Sequence, residues 1–357
     1  MAEVHQSYGF PLSFAIKTDV GRVRTNNEDS NGGVFLEDGS LFCMVADGMG
    51  GHEAGEVASG LAVQVVEEFM TRDPRGDPRD RLYNALLEAN EAILEEGRRS
   101  GKAGMGTTSI VTLTRGSEVT VALVGDSRCY QIRKGQMVWR TTDHTRVQML
   151  VDSGEIDEDA ARVHPEAGML TRALGHGRMA DGRPLVPDVI GEPLHLEPDD
   201  ALVLCSDGLH DLLEDWEVCR LVGGRTPEEA AEALVELACE RGGHDNVTVA
   251  VVLAGERAAD YDAHFRPPKP DPSEDTYPGA DGAPETYSME RDKSAGVPPP
   301  TGVFGAGATR GGPPAAPAAG GSNTMMIVGG VVVLLVVLGG GALLLVAALG
   351  GAFFLSR

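Results

Sequence analysis

The arrangement of short apolar runs in the first 254 residues limits the fold more than any other feature of the sequence. Two pairs of β-branched runs follow one another, 109–113 with 118–124 and 128–133 with 137–140, and a short glycine-containing link joins each pair. Such pairs predict β-hairpins and therefore antiparallel sheet. Because strand pairs are interleaved with helix pairs rather than alternating strictly with single helices, the sequence favours an α+β fold with helices packed outside antiparallel sheets.

The first helix is predicted over residues 54–70. Val57, Leu61, Val65 and Phe69 recur at steps of four, which is the stripe of an amphipathic helix. We therefore expect this stripe to be the face that packs on a sheet.

Three more helical stretches are predicted further along the chain. Apolar residues at helical spacing predict a helix over 79–97, and a second helical stretch over 209–221 follows a buried strand. Thr226 and Glu229 stand at capping-box spacing, which marks the start of another helix.

Composition divides the chain into three parts. Residues 7–254 form one predicted globular domain, residues 255–324 are rich in proline, glycine and acid and predict a disordered linker, and residues 325–355 carry no charge. An uncharged apolar run longer than the roughly 20 residues that cross a bilayer predicts a C-terminal transmembrane helix. Since residues 1–10 lack the features of a signal peptide, we expect a single-pass C-terminal anchor in the cell membrane, with the globular domain in the cytoplasm.

Charge and cysteine content narrow the class of protein. A net charge of −24 argues against nucleic acid as a partner, because such binding relies on lysine and arginine. The same balance suits a binder of divalent cations, although solubility would also explain it. The 5 cysteines occur singly within apolar runs, so we expect buried thiols rather than a disulfide framework or a zinc site.

Acidic residues repeatedly stand where an apolar strand stops. Asp47 follows the run 41–46 and precedes a glycine-rich turn, Asp126 and Asp207 end two later strands, and Asp245 precedes the last strand. A capped helix would explain Asp47 alone about as well as a metal site would. Acids that converge at one end of a sheet need cations, because two carboxylates about 4 Å apart repel by roughly 4 kcal/mol at an effective dielectric constant of 20. An oxygen-only donor set favours Mn²⁺ or Mg²⁺ over Zn²⁺.

Together these motifs resemble those of the metal-dependent protein serine/threonine phosphatases, the PPM family of type 2C phosphatases, and in particular its bacterial branch. The resemblance spans residues 8–253. It implies an α-β-β-α sandwich of two antiparallel sheets flanked by helix pairs, with the metals at one end. The matching segments, in the family's order, are 24–29 (RTNNED), 47–52 (DGMGGH), 106–108 (GTT), 125–128 (GDSR), 171–175 (TRALG), 206–209 (SDGL) and 245–248 (DNVT).

The resemblance also implies which groups would hold two Mn²⁺ or Mg²⁺ ions. By position, Asp47 would bridge the two ions and thereby take part in catalysis, and the carbonyl of Gly48 would bind one of them. Asp207 and Asp245 would hold the second ion.

Further groups are implied around this pair. Glu28 and Asp29 would act mainly through metal-bound water, and Asp126, Asp207 and Asp211 match the site of a third, weaker metal in bacterial members.

The implied substrate contacts are fewer. Arg24 matches the family's phosphate-binding arginine, whose planar guanidinium can hold two phosphate oxygens. Residues 141–175 match a variable flap that influences substrate access. Eukaryotic members place a histidine where this chain has Met49, so the proton donor stays open between a metal-bound water, which we favour, and His52.

The implied function is hydrolysis of phosphoserine and phosphothreonine in proteins by a hydroxide that two metal ions activate. The implied partners are phosphorylated proteins, among them Ser/Thr kinases and kinase substrates at the membrane. Two alternatives stay open: a non-catalytic receptor of the same fold that binds phosphoproteins, and a phosphatase of small phosphoesters. The presence of Asp47, Asp207 and Asp245 speaks against the receptor.

Overall fold

The structure is a computed structural model that describes residues 5–50, 53–72, 74–102, 104–255, 323–328, 331–338 and 341–348. The chain divides into two compact units, Met1–Tyr277 and Pro278–Arg357. Every helix among the described residues belongs to the first unit.

The first unit contains both strands and helices. Its described strands are β1 (His5–Ser7), β2 (Phe10–Asp19), β3 (Asp29–Phe35), β4 (Leu41–Met49), β5 (Gly106–Thr107), β6 (Ser109–Arg115), β7 (Glu118–Val124), β8 (Arg128–Arg133), β9 (Gln136–Arg140), β10 (Asp188–Val189), β11 (Leu194–His195), β12 (Ala201–Cys205) and β13 (Val247–Ala254). Its described helices are α1 (Ala54–Arg72), α2 (Pro78–Ser100), α3 (Arg146–Asp152), α4 (Glu158–Arg162), α5 (Asp207–His210), α6 (Asp215–Val222) and α7 (Pro227–Glu240).

The strands form two antiparallel sheets. One has the order β1-β2-β13-β12-β8-β9, and the other has the order β10-β7-β6-β4-β3, with β11 on β7 and β5 on β4. Both predicted hairpins, β6 with β7 and β8 with β9, are confirmed by their antiparallel pairing.

Central strands are apolar on both faces because each sheet is covered on both sides. On β4, Phe42 and Met44 pack with α1 and α2, whereas Leu41 and Cys43 point into the layer between the sheets. On β12, Val203 belongs to the cluster formed with α6 and α7. Since successive side chains of a strand alternate between faces, each run of buried residues serves two layers at once. The expected α-β-β-α sandwich is confirmed.

The buried face of α1 differs from the predicted stripe. The helix is where the spacing predicted it, but its fully buried face is formed by Ala58, Ala62 and Val66. Val57 and Leu61 from the predicted stripe are only partly buried at the edge of that face. Small side chains let the helix axis approach the sheet, so the larger ones pack beside the contact rather than in it.

The stretch predicted as one helix over 209–221 is two helices. The chain leaves helical geometry between α5 and α6, and Glu214 starts α6 with a capping box to Glu217. The first backbone N–H groups of a helix have no partner within the helix, and a capping box supplies partners for some of them. The box therefore lets α6 begin inside a stretch whose sequence pattern predicted one continuous helix. Thr226 and Glu229 form the predicted capping box of α7.

The predicted burial of the cysteines is confirmed for the described residues. Among the described residues, Cys43, Cys129, Cys205, Cys219 and Cys239 are all buried, and none of them forms a disulfide. Burial raises the pKa of the Cys219 thiol to about 12, which keeps it protonated and unreactive at neutral pH.

The described part of the second unit corrects the prediction for the C-terminal segment. It consists of β14 (Asn323–Val328), β15 (Val331–Leu338) and β16 (Gly341–Ala348), paired as an antiparallel sheet in that order. The predicted helix over 325–355 is therefore wrong for these residues, and no helix in the described part of the chain is long and apolar enough to span a bilayer. The valine-rich run of β15, which pairs of glycine separate from the neighbouring runs, favours a strand over a helix.

The linker prediction over 255–324 lies outside the described residues except at 255, 323 and 324. The last strand of the first unit, β13, ends at Ala254. The boundaries proposed for the three parts remain predictions.

Candidate metal centre

The structure brings most of the predicted site residues to one cleft at the ends of the two sheets. The cleft has a volume of about 840 Å³. Asp29 lies buried beside it, and Asp211 lies in an adjoining cavity of about 250 Å³ that Asp126 and Asp207 also line. The predicted residues that line the cleft itself are Arg24, Glu28, Asp47, Gly48, Asp126, Asp207 and Asp245.

Both sheets contribute acids to this cleft. Asp29 begins β3 and is the register partner of Asp47 on β4, so the two carboxylates come from neighbouring strands of one sheet. Asp126 follows β7 of the same sheet, whereas Asp207 follows β12 and Asp245 precedes β13 of the other. The strand ends therefore place the acids together, as the sequence predicted.

Hydrogen bonds to two threonines fix the backbone of Asp47. Its N–H donates to Thr108 Oγ1 at 2.9 Å, and its carbonyl accepts from the Thr108 N–H and from Thr107 Oγ1, both at 2.8 Å. Thr108 Oγ1 also lies 2.7 Å from Ser127 Oγ. These contacts give the GTT segment a role that the sequence alone did not supply.

The backbone of Glu28 is fixed in the same way. Its N–H donates to Asn246 Oδ1 at 2.8 Å, and its carbonyl accepts from Gly48 N–H at 3.1 Å and from Ser59 Oγ at 2.6 Å. A Cβ at Gly48 would collide with the carbonyl oxygen of Gly55, so this close approach requires glycine at position 48.

A buried histidine links the two acids of the adjoining cavity. His210 Nε2 lies 3.1 Å from the Asp126 carbonyl oxygen, and its Nδ1 lies 3.4 Å from Asp211 Oδ1. Burial raises the pKa of Asp211, but the contact with His210 outweighs that effect and holds it below its ordinary value. Asp211 is thus a stable carboxylate at the cavity wall.

Arg24 lies at the mouth of the cleft. Its side chain is half exposed, and one guanidinium nitrogen donates to Asp245 Oδ2 at 2.6 Å. The other Asp245 oxygen accepts from Asn246 N–H at 2.8 Å. Arg24 is therefore held at the acid cluster with guanidinium donors left to face the cleft.

Burial and mutual repulsion make the acid cluster hard to ionise. Burial, reinforced by the charge of Asp207, raises the pKa of Asp126 to about 7. Burial, with repulsion from Asp211 and Asp245, raises the pKa of Asp207 to about 7. Burial raises the pKa of Asp29 to about 6 even though Ser206 donates a hydrogen bond to it at 2.8 Å.

Asp47 stands at the centre of this repulsion. Burial raises its pKa well above the ordinary value, and the charges of Asp207, Asp29 and Asp126 raise it further. A cluster of this kind is stabilised either by protons or by cations.

The donor set fits divalent cations that prefer oxygen. Among the described residues, Asp29 Oδ1 and Asp207 Oδ1 are buried side-chain oxygens without a hydrogen-bond partner, and oxygens of this kind are free to bind a cation. Within the same residues no three His, Cys, Asp or Glu side chains form a ready-made metal cage. The two facts agree, because Mg²⁺-type sites combine a few carboxylates with carbonyls and waters.

Sequence reasoning missed several residues of the site. Thr108, Asn246 and Ser206 stand next to predicted residues in the matching segments, and this adjacency was the available signal. His176 lines the cleft and packs against Gly106, where an added Cβ would lie 2.9 Å from its Nε2. Nothing in the sequence pointed to it, because that packing joins distant segments. His52, named as a proton donor, lies outside the described residues.

An α-β-β-α sandwich with oxygen ligands gathered at the ends of both sheets defines a class of metal-dependent hydrolases. The family model described as Protein phosphatase 2C matches residues 26–247, more than half of the chain. The chain therefore belongs to the protein phosphatase 2C family.

Bacterial relatives agree with this assignment. The chain is 37% identical over 252 residues to the serine/threonine protein phosphatase PstP of Mycobacterium tuberculosis, a match that covers 70% of this chain and 46% of PstP. It is 36% identical over 247 residues to the serine/threonine phosphatase stp of Listeria monocytogenes, covering 66% of this chain and 93% of that protein. The chain thus spans about half the length of PstP.

Solved structures show the same fold. The serine/threonine phosphatase of S. agalactiae matches with a TM-score of 0.63 and 32% identity, covering 69% of this chain and 100% of that one. The catalytic domain of PstP in complex with two manganese ions matches with a TM-score of 0.59 and 34% identity, covering 69% of this chain and 99% of that one.

Proposed function

We propose that this protein is a metal-dependent phosphatase that hydrolyses phosphoserine and phosphothreonine in proteins. The observation that carries the proposal is the convergence of Asp47, Asp126, Asp207 and Asp245 on one cleft that also holds Arg24. The manganese in the related PstP structure supports the choice of cation.

We assign the residues that would hold Mn²⁺ or Mg²⁺ from the resemblance of the matching segments to those of the family. Asp47, the Gly48 carbonyl, Asp207 and Asp245 would hold two ions, and Glu28 with Asp29 would act mainly through water. A third ion would take Asp126, Asp207 and Asp211. When bound, the ions supply a water nucleophile that is deprotonated near neutral pH and stabilise negative charge on the phosphoryl oxygens.

The protein's own groups do the positioning. Arg24 presents guanidinium N–H groups to the phosphoryl oxygens, and Asp245 sets its direction through their hydrogen bond. Thr107 and Thr108 hold the backbone of Asp47 in place, which limits the movement of the strand end that carries its carboxylate. These contacts fix the geometry before substrate arrives.

The leaving alkoxide needs a proton, and we assign that task to His176. Among the described residues that line the cleft, His176 is the one histidine. It packs on Gly106, the strand partner of Met49. His176 thereby places an imidazole beside the strand partner of Met49, the position at which the family's eukaryotic members carry histidine.

Leaving-group dependence tests this assignment. We expect His176→Gln to slow a phosphothreonine peptide about 100-fold and p-nitrophenyl phosphate less than threefold, because only the alkoxide needs protonation. Equal losses on both substrates would refute the assignment and return the role to water or to His52.

Membrane location and opposition to kinases rest on sequence alone. The uncharged segment 325–355 supports association with the cell membrane, with the phosphatase domain facing the cytoplasm and acting on Ser/Thr kinases and their substrates there. Recovery of the full chain in the soluble fraction, without detergent, would argue against that location.

The test of the function uses the full chain with phosphothreonine peptides and Mn²⁺. We expect turnover that is abolished by EDTA and reduced at least 1000-fold in Asp47→Asn and Asp245→Asn. Tight phosphopeptide binding without turnover in the unmodified protein would favour the non-catalytic receptor. Turnover of small phosphoesters but of no phosphopeptide would favour a small-molecule phosphatase.

A further inference from the structure

A second cavity lies next to the catalytic cleft and shares part of its wall. It has a volume of about 490 Å³, and Met169 and Leu170 line both this cavity and the cleft. These two residues are therefore the partition between the acid cluster and the second cavity. A polypeptide with a side chain in the cleft can reach across this partition, because an extended chain advances about 3.3 Å per residue.

The wall of the second cavity is rich in methionine. Met149, Met169 and Met179 line it together with Leu170. Met149 is 51% exposed and Met169 is 53% exposed, although large apolar side chains are normally covered. Methionine side chains are flexible and polarisable, so such a wall adapts to apolar groups of different shape.

The backbone beneath this wall is fixed. The Arg146 N–H donates to the Met169 carbonyl at 2.8 Å, and Thr145 forms an antiparallel bridge with Leu170. The next residue, Thr171, accepts from Ala180 N–H at 2.9 Å. The exposed methionines are thus presented by an ordered backbone, and the cavity does not have to form when a ligand arrives.

Charge does not select the ligand of this cavity. Four aspartates and three arginines line it, so their formal charges nearly cancel. Arg183 pairs with Asp181 at 2.6 Å, and Asp188 lies 3.6 Å from His144 Nε2. Because no net charge dominates the cavity, contact with its apolar wall can contribute to the choice of ligand.

We propose that this cavity, defined by Met149, Met169, Leu170 and Met179, is a substrate subsite that binds an apolar side chain near the phosphorylated residue. The inference rests on the proposed function, because the phosphoryl group in the cleft fixes which neighbouring residue reaches the subsite. Its consequence is sequence preference: phosphoproteins with a leucine, methionine or phenylalanine at one position close to the phosphothreonine are bound more tightly.

The experiment uses the full chain with Mn²⁺ and a set of phosphothreonine peptides. In each peptide one of the four positions on either side carries leucine and the others carry alanine or serine. We expect one position at which leucine lowers KM about tenfold relative to alanine. The preference is expected to fall below twofold in Met149→Gln and in Met169→Gln, and to remain in Met137→Gln.

Met137 is a matched control because it is the same residue type, is 36% exposed, and lies on β9 outside both cavities. Comparing leucine and alanine peptides within each variant removes any general loss of activity. Absence of a preferred position, or a preference that survives both cavity substitutions, would overturn the subsite.

A binding arm separates this proposal from the proposed function. The same peptide series is prepared with a phosphonate analogue that cannot be hydrolysed, and binding is followed by fluorescence anisotropy. Leucine-dependent binding that Met149→Gln removes, without hydrolysis of any phosphopeptide, would support the subsite and contradict the phosphatase. Hydrolysis of phosphopeptides without leucine-dependent binding would support the phosphatase and contradict the subsite.

Discussion

Replacing Asp207 with asparagine should stabilise the metal-free protein while destroying its activity. Asp207 lies among carboxylates, and its Oδ1 is buried without a hydrogen-bond partner among the described residues. Burial and the neighbouring charges raise its pKa from 3.8 to about 7. A proton on Asp207 therefore stabilises the metal-free fold at low pH, and that stabilisation is lost as the pH rises through about 7.

The magnitude follows from the size of the shift. One pKa unit corresponds to about 1.4 kcal/mol, so the raised pKa of Asp207 lowers the free energy of unfolding of the metal-free protein, relative to low pH, by about 4 kcal/mol at pH 8 and by about 2 kcal/mol at pH 5. Asparagine resembles the protonated acid in shape and carries no charge. Asp207→Asn should thus raise the melting temperature in EDTA by about 10 °C at pH 8 and by only a few degrees at pH 5.

Differential scanning fluorimetry of both proteins at the two pH values, with EDTA or with Mn²⁺, measures this directly. Mn²⁺ should raise the melting temperature of the wild type far more than that of the variant, because it binds only the folded site. A lower melting temperature of Asp207→Asn in EDTA at pH 8, or an equal gain at both pH values, would refute the reasoning.

Asp200 provides the matched control. It is only 1% exposed, and Arg133 donates to it at 2.7 Å and Gln131 donates at 3.0 Å. Asp200→Asn should destabilise the protein by about 3 kcal/mol at both pH values, because it removes the partner of a cation.

Three further outcomes are expected. Thr108→Val should lower the free energy of unfolding by about 1–2 kcal/mol and kcat about tenfold. Thr112→Val should be neutral or stabilising, because among the described residues the Thr112 hydroxyl is buried without a partner. Urea unfolding compares the stability of the two variants. Arg24→Lys should raise KM for phosphopeptides about tenfold in steady-state assays, because lysine cannot form the two-pronged contact; an unchanged KM would contradict its role. Gly55→Ala should weaken Mn²⁺ binding at least tenfold by calorimetry, because its Cβ would collide with the Glu28 carboxylate; unchanged binding would count against Glu28 as a metal-site residue.

The sequence was sufficient for the elements whose pattern is local. The hairpins and the helices α1, α2 and α7 follow from side-chain periodicity and capping residues, and they are confirmed. The face of α1 that becomes buried was not predictable, because the contact chooses Ala58 and Ala62 for their small size rather than for hydrophobicity.

Prediction of the site was limited by contacts between distant segments. Strand-end position was enough to expect that Asp47, Asp207 and Asp245 would meet. It was not enough to show that Asp211 faces the adjoining cavity or that His176 enters the cleft, because both depend on how loops pack. The valine-rich tail was misjudged because hydropathy alone does not distinguish a helix from strands separated by glycines.

The division of the acids between the two sheets has a mechanical consequence. Asp29 and Asp47 belong to one sheet, whereas Asp207 and Asp245 flank strands of the other. A cation shared by Asp47 and Asp207 would therefore connect the two sheets, and its binding free energy would stabilise the packing of one sheet on the other. Any movement of one sheet relative to the other would lower the affinity of the site for the cation. Conversely, cation binding would restrict that movement.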